Sequence, residues 1–282
     1  MTNIVEDIHK ILGDISLGKG DISEELIEEF GEEVKQTLRD WSKTRPQEGF
    51  QLRVSNLGKP LRKLWFEKRN KTYNEPIPPS LSLKFLYGHI LESLVVFLVK
   101  LSGNKVTDQQ KEVEINGIKG HLDCKINGTV VDIKSASRFA FNKFSKGLLT
   151  EDDPFGYIPQ LSAYEHAEET NDSYFLVIDK ESGELCTYKP DDFDKPDVPM
   201  MVNNVKNWLD GEILPDKCFP TEPEGKKGNE RINKNCVYCE FKKECYKDSN
   251  DGKGLRVFNY AKGPLFLATV KSEPKVEEIY EW

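Results

Sequence analysis

Between residues 22 and 43 apolar side chains recur at every fourth position (Ile22, Leu26, Phe30, Val34, Leu38) among charged ones, the pattern of an amphipathic helix. Pro46 and Gly49 are placed to end it. A shorter basic helix is predicted from Leu57 to about Asn70, and the Pro76–Pro79 cluster reads as a linker. Residues 81–102 give the strongest helical signal: Leu83, Leu86, Ile90, Leu94 and Leu98 line one face, and Gly103 follows where a stop is expected. Two Asn-Gly dipeptides, Asn116-Gly117 and Asn127-Gly128, then separate alternating apolar runs. They predict hairpins joining Lys105–Ile115 to Ile118–Ile126, and Ile118–Ile126 to Thr129–Ser135, because both turn residues need positive φ. Further helices are expected near Ile158–Glu169 and Val198–Leu209, with strands at Ser173–Asp179 and Glu184–Lys189 turned by Ser182-Gly183. The chain therefore reads as mixed α/β. Its expected divisions are an acidic helical region over 1–50, a core over 51–214, a cysteine-rich module over 215–248 and a patternless tail over 249–282.

Composition narrows this picture. The chain has 282 residues, 37% hydrophobic and 31% charged, which suits a globular protein with a sizeable core. No stretch reads as membrane-spanning: the longest apolar run, Leu91 to Val99, is short and contains Glu92. The N-terminus lacks the basic start and apolar stretch of a secretory signal, so a cytoplasmic location is expected. The net charge of −8 resides wholly in residues 1–33, where ten acids face Lys10 and Lys19; the remainder is balanced at 38 and 38. A local basic groove is therefore compatible with the acidic average. Residues 51–72, with Arg53, Lys59, Arg62, Lys63, Lys68, Arg69 and Lys71 against Glu67, are one candidate, a solvated helix face being the alternative.

The second Asn-Gly turn permits a geometric deduction. In a two-residue loop Ile126 faces Thr129, which sets Asp123 opposite Asp132 and His121 opposite Lys134, all four on one face. Leu122, Cys124, Val131 and Ile133 then form the other, apolar face. Directly opposed carboxylates repel at roughly 4.5–5.5 Å between Cβ atoms. They call for Lys134 and a divalent cation, and hard oxygen ligands of this kind suit magnesium or manganese. A solvent-facing ribbon with a chance pair of acids is the competing view. Glu92, one charge within nine otherwise apolar residues, is costly without a partner.

Gly120-His121-Leu122-Asp123 followed by Asp132-Ile133-Lys134 resembles the PD-(D/E)XK nuclease superfamily, in its RecB-type and lambda-exonuclease-like branch. Gly88-His89-Ile90-Leu91-Glu92 is similar to that family's Gly-x-x-x-(His or Glu) helix motif, and Gln160-Leu161-Ser162-Ala163-Tyr164 to its Gln-x-x-x-Tyr motif. The order and spacing fit across residues 50–245. The resemblance implies a restriction-endonuclease-like core, and Mg²⁺ or Mn²⁺ held by Glu92, Asp123, Asp132 and the Ile133 carbonyl. His89 would be a further metal contact or would simply pack. Lys134 would orient or deprotonate water. Gln160 and Tyr164 would contact DNA, with Arg62, Lys63, Arg138, Lys143 and Lys146 as candidates for backbone phosphates. Phe139, Phe141 and Phe144 interleave with the last three and suit either base stacking or the core.

Cys236, Cys239 and Cys245 form a C-x2-C-x5-C cluster, and Cys218 precedes it by eighteen positions, a set suited to a tetrahedral sulfur site. This tail resembles the iron–sulfur nucleases of the same superfamily, including the CRISPR-adaptation exonucleases. Pro60 stands where their first cysteine is expected, so Cys218 would supply the fourth ligand of a [4Fe–4S] cluster, with zinc as the alternative. Cys124 and Cys186 fall in strand patterns as buried thiols. The function implied is a DNA exonuclease acting in recombination or replication, similar to compact phage-encoded members that act in the host cytoplasm. A structure-specific endonuclease and a non-catalytic DNA-binding module are the alternatives. Recombination or replication proteins are possible partners, and an oligomer is compatible with the sequence.

Overall fold

Both Asn-Gly turns form, and the second fixes the register from which the rest of the sheet is built. In the computed structural model, which describes residues 3–43, 49–70 and 78–281, Asn116 and Asn127 adopt φ of 48° and 52°, and Gly117 and Gly128 adopt 78° and 90°. The expected stops and linker at Pro46 and Pro76, and the basic Lys71, lie outside the described residues. The elements begin with helices α1 (Ile4–Ser16), α2 (Glu24–Lys43), α3 (Leu61–Arg69) and α4 (Pro79–Leu101). Strands β1 (Val106–Thr107), β2 (Lys111–Ile115), β3 (Ile118–Leu122), β4 (Cys124–Ile126) and β5 (Thr129–Ala136) follow. Then come α5 (Arg138–Ser145), α6 (Tyr157–Ala167), β6 (Ser173–Asp179), β7 (Leu185–Tyr188) and α7 (Val198–Asp210). The fold is mixed α/β with a helical N-terminal region.

Two compact units divide the chain, Met1–Lys59 with Asn70–Lys206, and Pro60–Arg69 with Asn207–Trp282. The first is built on a five-stranded sheet in the order β1-β4-β5-β6-β7. Its centre is parallel, Val130 to Ala136 of β5 pairing with Ser173 to Asp179 of β6, and its other pairings are antiparallel. Parallel neighbours need a long crossover, and α5 and α6 supply it. Alternation along β5 separates two cores. Val131 and Ile133 pack with Cys124, Ile126 and the Leu91, Val95, Val96 and Val99 stripe of α4, and α1 adds Ile4 and Ile8. Val130 and Ala136 face Phe141 and Phe144 of α5 and Leu161 of α6.

The long ribbon read from the sequence is broken in two. β2 and β3 form a two-stranded sheet, with Lys119 of β3 also bridging Arg53, while β1 and β4 join the large sheet. Asp108 and Gln110 take φ of 54° and 52° and interrupt one strand, and Asp123 interrupts the other. The expected apolar face changes accordingly. Cys124, Val131 and Ile133 share one core, but Leu122 lies in the other. His121 pairs with Glu112 rather than with Lys134, and its side chain is exposed.

Helix α4 is long and apolar enough by length and composition to cross a membrane, with mean hydropathy 1.5 in its apolar window. Leu91, Val95, Val96 and Val99 in its C-terminal half sit against the sheet, whereas Leu81, Leu83, Phe85 and Tyr87 are exposed. The acidic α2 lies along it: Phe30 and Phe97 rings are 4.9 Å apart, and Lys100 Nζ reaches Glu29 at 2.8 Å and Glu33 at 3.2 Å.

The second unit overturns the expectation of a patternless tail. Strands β8 (Glu222–Glu224), β9 (Asn229–Arg231), β10 (Arg256–Tyr260), β11 (Gly263–Thr269) and β12 (Glu278–Ile279) form an antiparallel sheet in the order β12-β10-β11-β9-β8. Its core holds Ile232, Tyr246, Leu255, Val257 and Phe266. Helix α3 belongs to this unit, so the basic stretch divides between the two. Phe66 stacks on Phe241 at 5.4 Å, Trp65 Nε1 donates to the Gly211 carbonyl, and Lys68 pairs with Asp210 at 2.7 Å.

One backbone contact in the first unit separates two glycines by their effect. Gly156 has φ +73°, and a Cβ there would lie 2.2 Å from Gly58 Cα; a Cβ on Gly88, inside α4, would meet only Ser135 Oγ at 3.8 Å. Gly156→Ala is expected to lower the unfolding free energy by more than about 1 kcal/mol. Gly88→Ala is expected to raise it by about 0.5–1 kcal/mol. Urea unfolding of the two variants checks both signs.

Candidate active site

Asp132 and Lys134 alternate with Val131 and Ile133 on β5, so burying the valine and isoleucine under α4 turns the acid and the lysine to the opposite face. Asp132 is fully buried, and Lys134 Nζ stands 2.6 Å from its Oδ2. Beyond that ion pair neither Asp132 oxygen has a hydrogen-bond partner among the described residues.

The register places the second acid. The β4–β5 ladder ends with Cys124 opposite Val131, one step before Asp123 would face Asp132. Asp123 does not continue the ladder with its backbone. Its carboxylate turns in, and Oδ2 accepts the Ile133 N–H at 2.7 Å. The two aspartates are therefore neighbours, as the turn geometry requires, but the second is held by a side-chain bond to the backbone. Glu92 reaches the group from α4, where Gln110 Nε2 donates to its Oε1 at 2.6 Å. Gln110 also donates its backbone N–H to the Asp123 carbonyl at 3.0 Å, so this left-handed residue steadies two acids at once. Nothing in the local pattern of residues 105–115 marks it.

The electrostatics follow from burial. Desolvation raises the carboxyl of Glu92 to about 7, and Asp132 reinforces the shift. Burial pushes Asp123 well above the usual carboxylate range, with Asp132 and Glu92 adding to it and Lys134 opposing. Asp132 is raised by burial and partly restored by Lys134. For Lys134, burial alone would favour the neutral amine, but Asp132 and Asp123 reverse this and lift its pKa above the usual lysine value. Lys134 is thus an ammonium throughout the neutral range. Three acids and one lysine share a poorly hydrated place where burial disfavours the charged forms of Glu92 and Asp123, so ionising all three acids calls for a further cation, and hard oxygen ligands suit a divalent one. Among the described residues, no three His, Cys, Asp or Glu side chains are yet gathered as a ready-made metal site.

The Gln-x-x-x-Tyr pair stands beside the lysine. Gln160 Oε1 accepts from Lys134 Nζ at 3.5 Å, and Gln160 Nε2 donates to the Tyr164 hydroxyl at 3.1 Å. Tyr164 is buried, so it backs Gln160 and is not presented to DNA. Tyr157, unmarked in the sequence, lies with its ring centroid 5.1 Å from Lys134 Nζ. His89 is exposed on α4 and does not join the acids.

The expected phosphate contacts separate. Arg138 pairs with Asp179 at 2.9 Å and with Glu184. Lys143 holds the Asp152 carboxylate at 2.9 Å. Lys146 is exposed. Phe141 and Phe144 belong to the core, whereas Phe139 is exposed. Arg62, in the second unit, is directed inward: its guanidinium donates to the Pro215 carbonyl at 2.6 Å and the Cys245 sulfur at 3.0 Å. Lys63 lies 3.8 Å from Glu67.

The second unit brings the four tail cysteines within mutual electrostatic range, and each sulfur has a donor beside it. Arg62 faces Cys245, the Lys63 amide faces Cys218, and the Phe241 amide faces Cys239. The buried Tyr246 hydroxyl, without a well-aligned partner, abuts Cys236. Burial pushes the Cys236 thiol up to about 12 and raises Cys218 and Cys239. Such donors favour thiolates over neutral thiols, and among the described residues the cysteines, like the acids, are not gathered as a ready-made metal site. Cys124 is fully buried, and burial raises its thiol pKa.

No family model and no curated protein sequence matches the chain. Among solved structures it is similar to an alkaline exonuclease from Laribacter hongkongensis, at 15% identity and a TM-score of 0.40 over 61% of this chain and 90% of that one. The same exonuclease in complex with dAMP aligns at 15% identity and 0.38, over 56% and 86%. A structure titled SSO0001 aligns at 19% identity and 0.41, over 76% and 94%.

Glu92 carries a sign for stability. The folded chain keeps its proton up to about 7, whereas an ordinary glutamate releases it near 4.5. Unfolding between those values releases a proton, so the Glu92 contribution is full below the lower value and lost as pH rises through the upper one. In chelator, thermal unfolding of the wild type is expected to lose stability across this window relative to Glu92→Gln. Parallel curves for the two would show that Glu92 titrates normally.

Proposed function

We propose that the chain is a metal-dependent DNA nuclease of the exonuclease type, hydrolysing phosphodiester bonds at the Asp132 site in DNA recombination or replication. The observation that carries this is Asp132 itself: a fully buried carboxylate whose one companion is a lysine, beside two further acids whose charged forms burial opposes. Glu92, Asp123, Asp132 and the Ile133 carbonyl would hold Mg²⁺ or Mn²⁺. Such an ion would supply Lewis-acid polarisation of the phosphate and activation of water.

The chain's own residues divide the remaining work. Asp123 is anchored on the Ile133 amide and Glu92 on the Gln110 side chain. Lys134 is held by Asp132 and Gln160 and stays protonated. Its proposed role is to steady negative charge that develops on the phosphoryl oxygens. Tyr157 shields one side of that ammonium, and Tyr164 fixes the amide of Gln160. The tail cysteines would bind a [4Fe–4S] cluster, or zinc, which staples the second unit and contributes to its folding.

The test is cleavage of end-labelled linear DNA and closed circular DNA with Mg²⁺ or Mn²⁺. An exonuclease degrades the linear form only, and an endonuclease also nicks circles. Asp132→Ala is expected to abolish cleavage. Lys134→Ala is expected to lower kcat by about 100- to 1,000-fold while DNA binding persists. Retardation of DNA without cleavage by the wild type would leave only a binding module. Elemental analysis and visible charge-transfer absorption of the purified chain separate iron–sulfur from zinc.

A further inference from the structure

We propose that the outward ring of Phe155 is a stacking platform for an unpaired nucleobase of the strand whose phosphate lies at Asp132 and Lys134. This rests on reading that site as a nuclease centre, and it adds a binding subsite with a stated ligand.

Phe155 is 61% exposed, yet it is neither loose nor isolated. Its ring stacks on Tyr157, with centroids 5.5 Å apart and planes 26° from parallel. Tyr157 is backed in turn by Phe144 at 5.9 Å and Phe175 at 6.4 Å, both in the core. One face of Phe155 is therefore supported by a series of rings, and its exposure lies on the other side. A ring in this state keeps apolar area in water that burial would otherwise remove at about 25 cal/mol per Å².

The loop that presents it is fixed at several points. The Asp153 carboxylate accepts the amides of Tyr157 at 3.0 Å and Ile158 at 2.9 Å, capping α6. Gly156, in the left-handed region, presses on the backbone of Gly58. Lys143 Nζ donates to the Asp152 carbonyl at 2.8 Å. The cost of ordering the ring is thus met before any ligand arrives.

Position selects the ligand. Tyr157 is the shared neighbour: on one side it carries Phe155, and 5.1 Å from its centroid stands Lys134 Nζ. The platform lies within two ring spacings of the ammonium, on the order of three 3.4 Å steps along a stacked strand. A flat aromatic face at that distance from a phosphate-attracting cation suits a nucleobase, which has both a π face and a tethered phosphate. Bases inside a duplex are already stacked on both sides. An open ring therefore favours one that is unpaired.

The test uses the full chain in chelator, so that binding is read without cleavage. The probe is an oligothymidylate of about twelve residues, inside the ~4–16-nucleotide sites of single-strand binders, with one 5-iodouracil that cross-links to stacked rings on irradiation. The wild type and Phe155→Tyr are expected to cross-link at position 155. Phe155→Ala and Phe155→Leu are expected to bind the oligomer about ten-fold more weakly, the size of one lost base–aromatic stack. Binding of a blunt duplex of equal length should change less than about two-fold in the same variants. Because the ring is exposed, unchanged melting temperatures will confirm folding, and Phe155→Leu separates stacking from mere apolar bulk. Undiminished oligomer affinity in Phe155→Ala, or cross-linking confined to other residues, would overturn the platform even if the wild type cleaves DNA. Cross-linking at Phe155 with no Mg²⁺- or Mn²⁺-dependent cleavage would instead retire the nuclease reading and leave a single-strand binding site.

Discussion

The hydrogen bond from the Ile133 amide to the Asp123 carboxylate, 2.7 Å long, is the constraint on which the site depends. It stands where the β4–β5 ladder would otherwise continue, and it satisfies a strand amide with a side chain. The consequence is electrostatic. Asp123 cannot swing away to relieve its repulsion with Asp132 without leaving that amide unpaired. The protein thus holds two carboxylates together and admits Glu92 as a third, with a single ammonium to offset them. Burial disfavours the charged forms of these acids, and carboxyls shifted in this way cluster at functional sites.

The surrounding helices serve that arrangement in different ways. α4 packs Leu91, Val95, Val96 and Val99 under the sheet, and this fixes Glu92, one residue along, at the edge of the core. The acidic α2 is tied to α4 through Lys100, and Glu33 adds to the negative field felt by Glu92. On the other side of β5, α6 supplies Gln160 and Tyr157 to Lys134, with Tyr164 behind them.

What was legible in the sequence was what local chemistry dictates. Asn127-Gly128 demands one turn, the turn demands one register, and the register brings Asp123 to Asp132. The break at Asp123 was not legible, because only the three-dimensional position of the Ile133 amide gives its side chain a reason to turn. That break moved Leu122 and His121 from their expected faces. Gln110 and Tyr157 were missed for a related reason: each meets the site through contacts distant in the chain, and neither has a periodicity to announce it. The basic helix misled because charge alone does not tell whether a guanidinium faces water or a sulfur. Arg62 lies 183 positions from Cys245, a pairing no window could show. The final strands were obscured because Arg256 answers Glu273 and Glu278 across the sheet edge, which disguises the alternation with charges.

The central claim is that Glu92, Asp123 and Asp132 form one cation site, and calorimetric titration of the full chain with Mn²⁺ at pH 8 tests it most directly. The account predicts saturable binding that Asp132→Asn and Glu92→Gln each weaken by at least about ten-fold, a loss of about 1.4 kcal/mol. Binding of equal strength in the wild type and both variants, or no binding by the wild type, would contradict it.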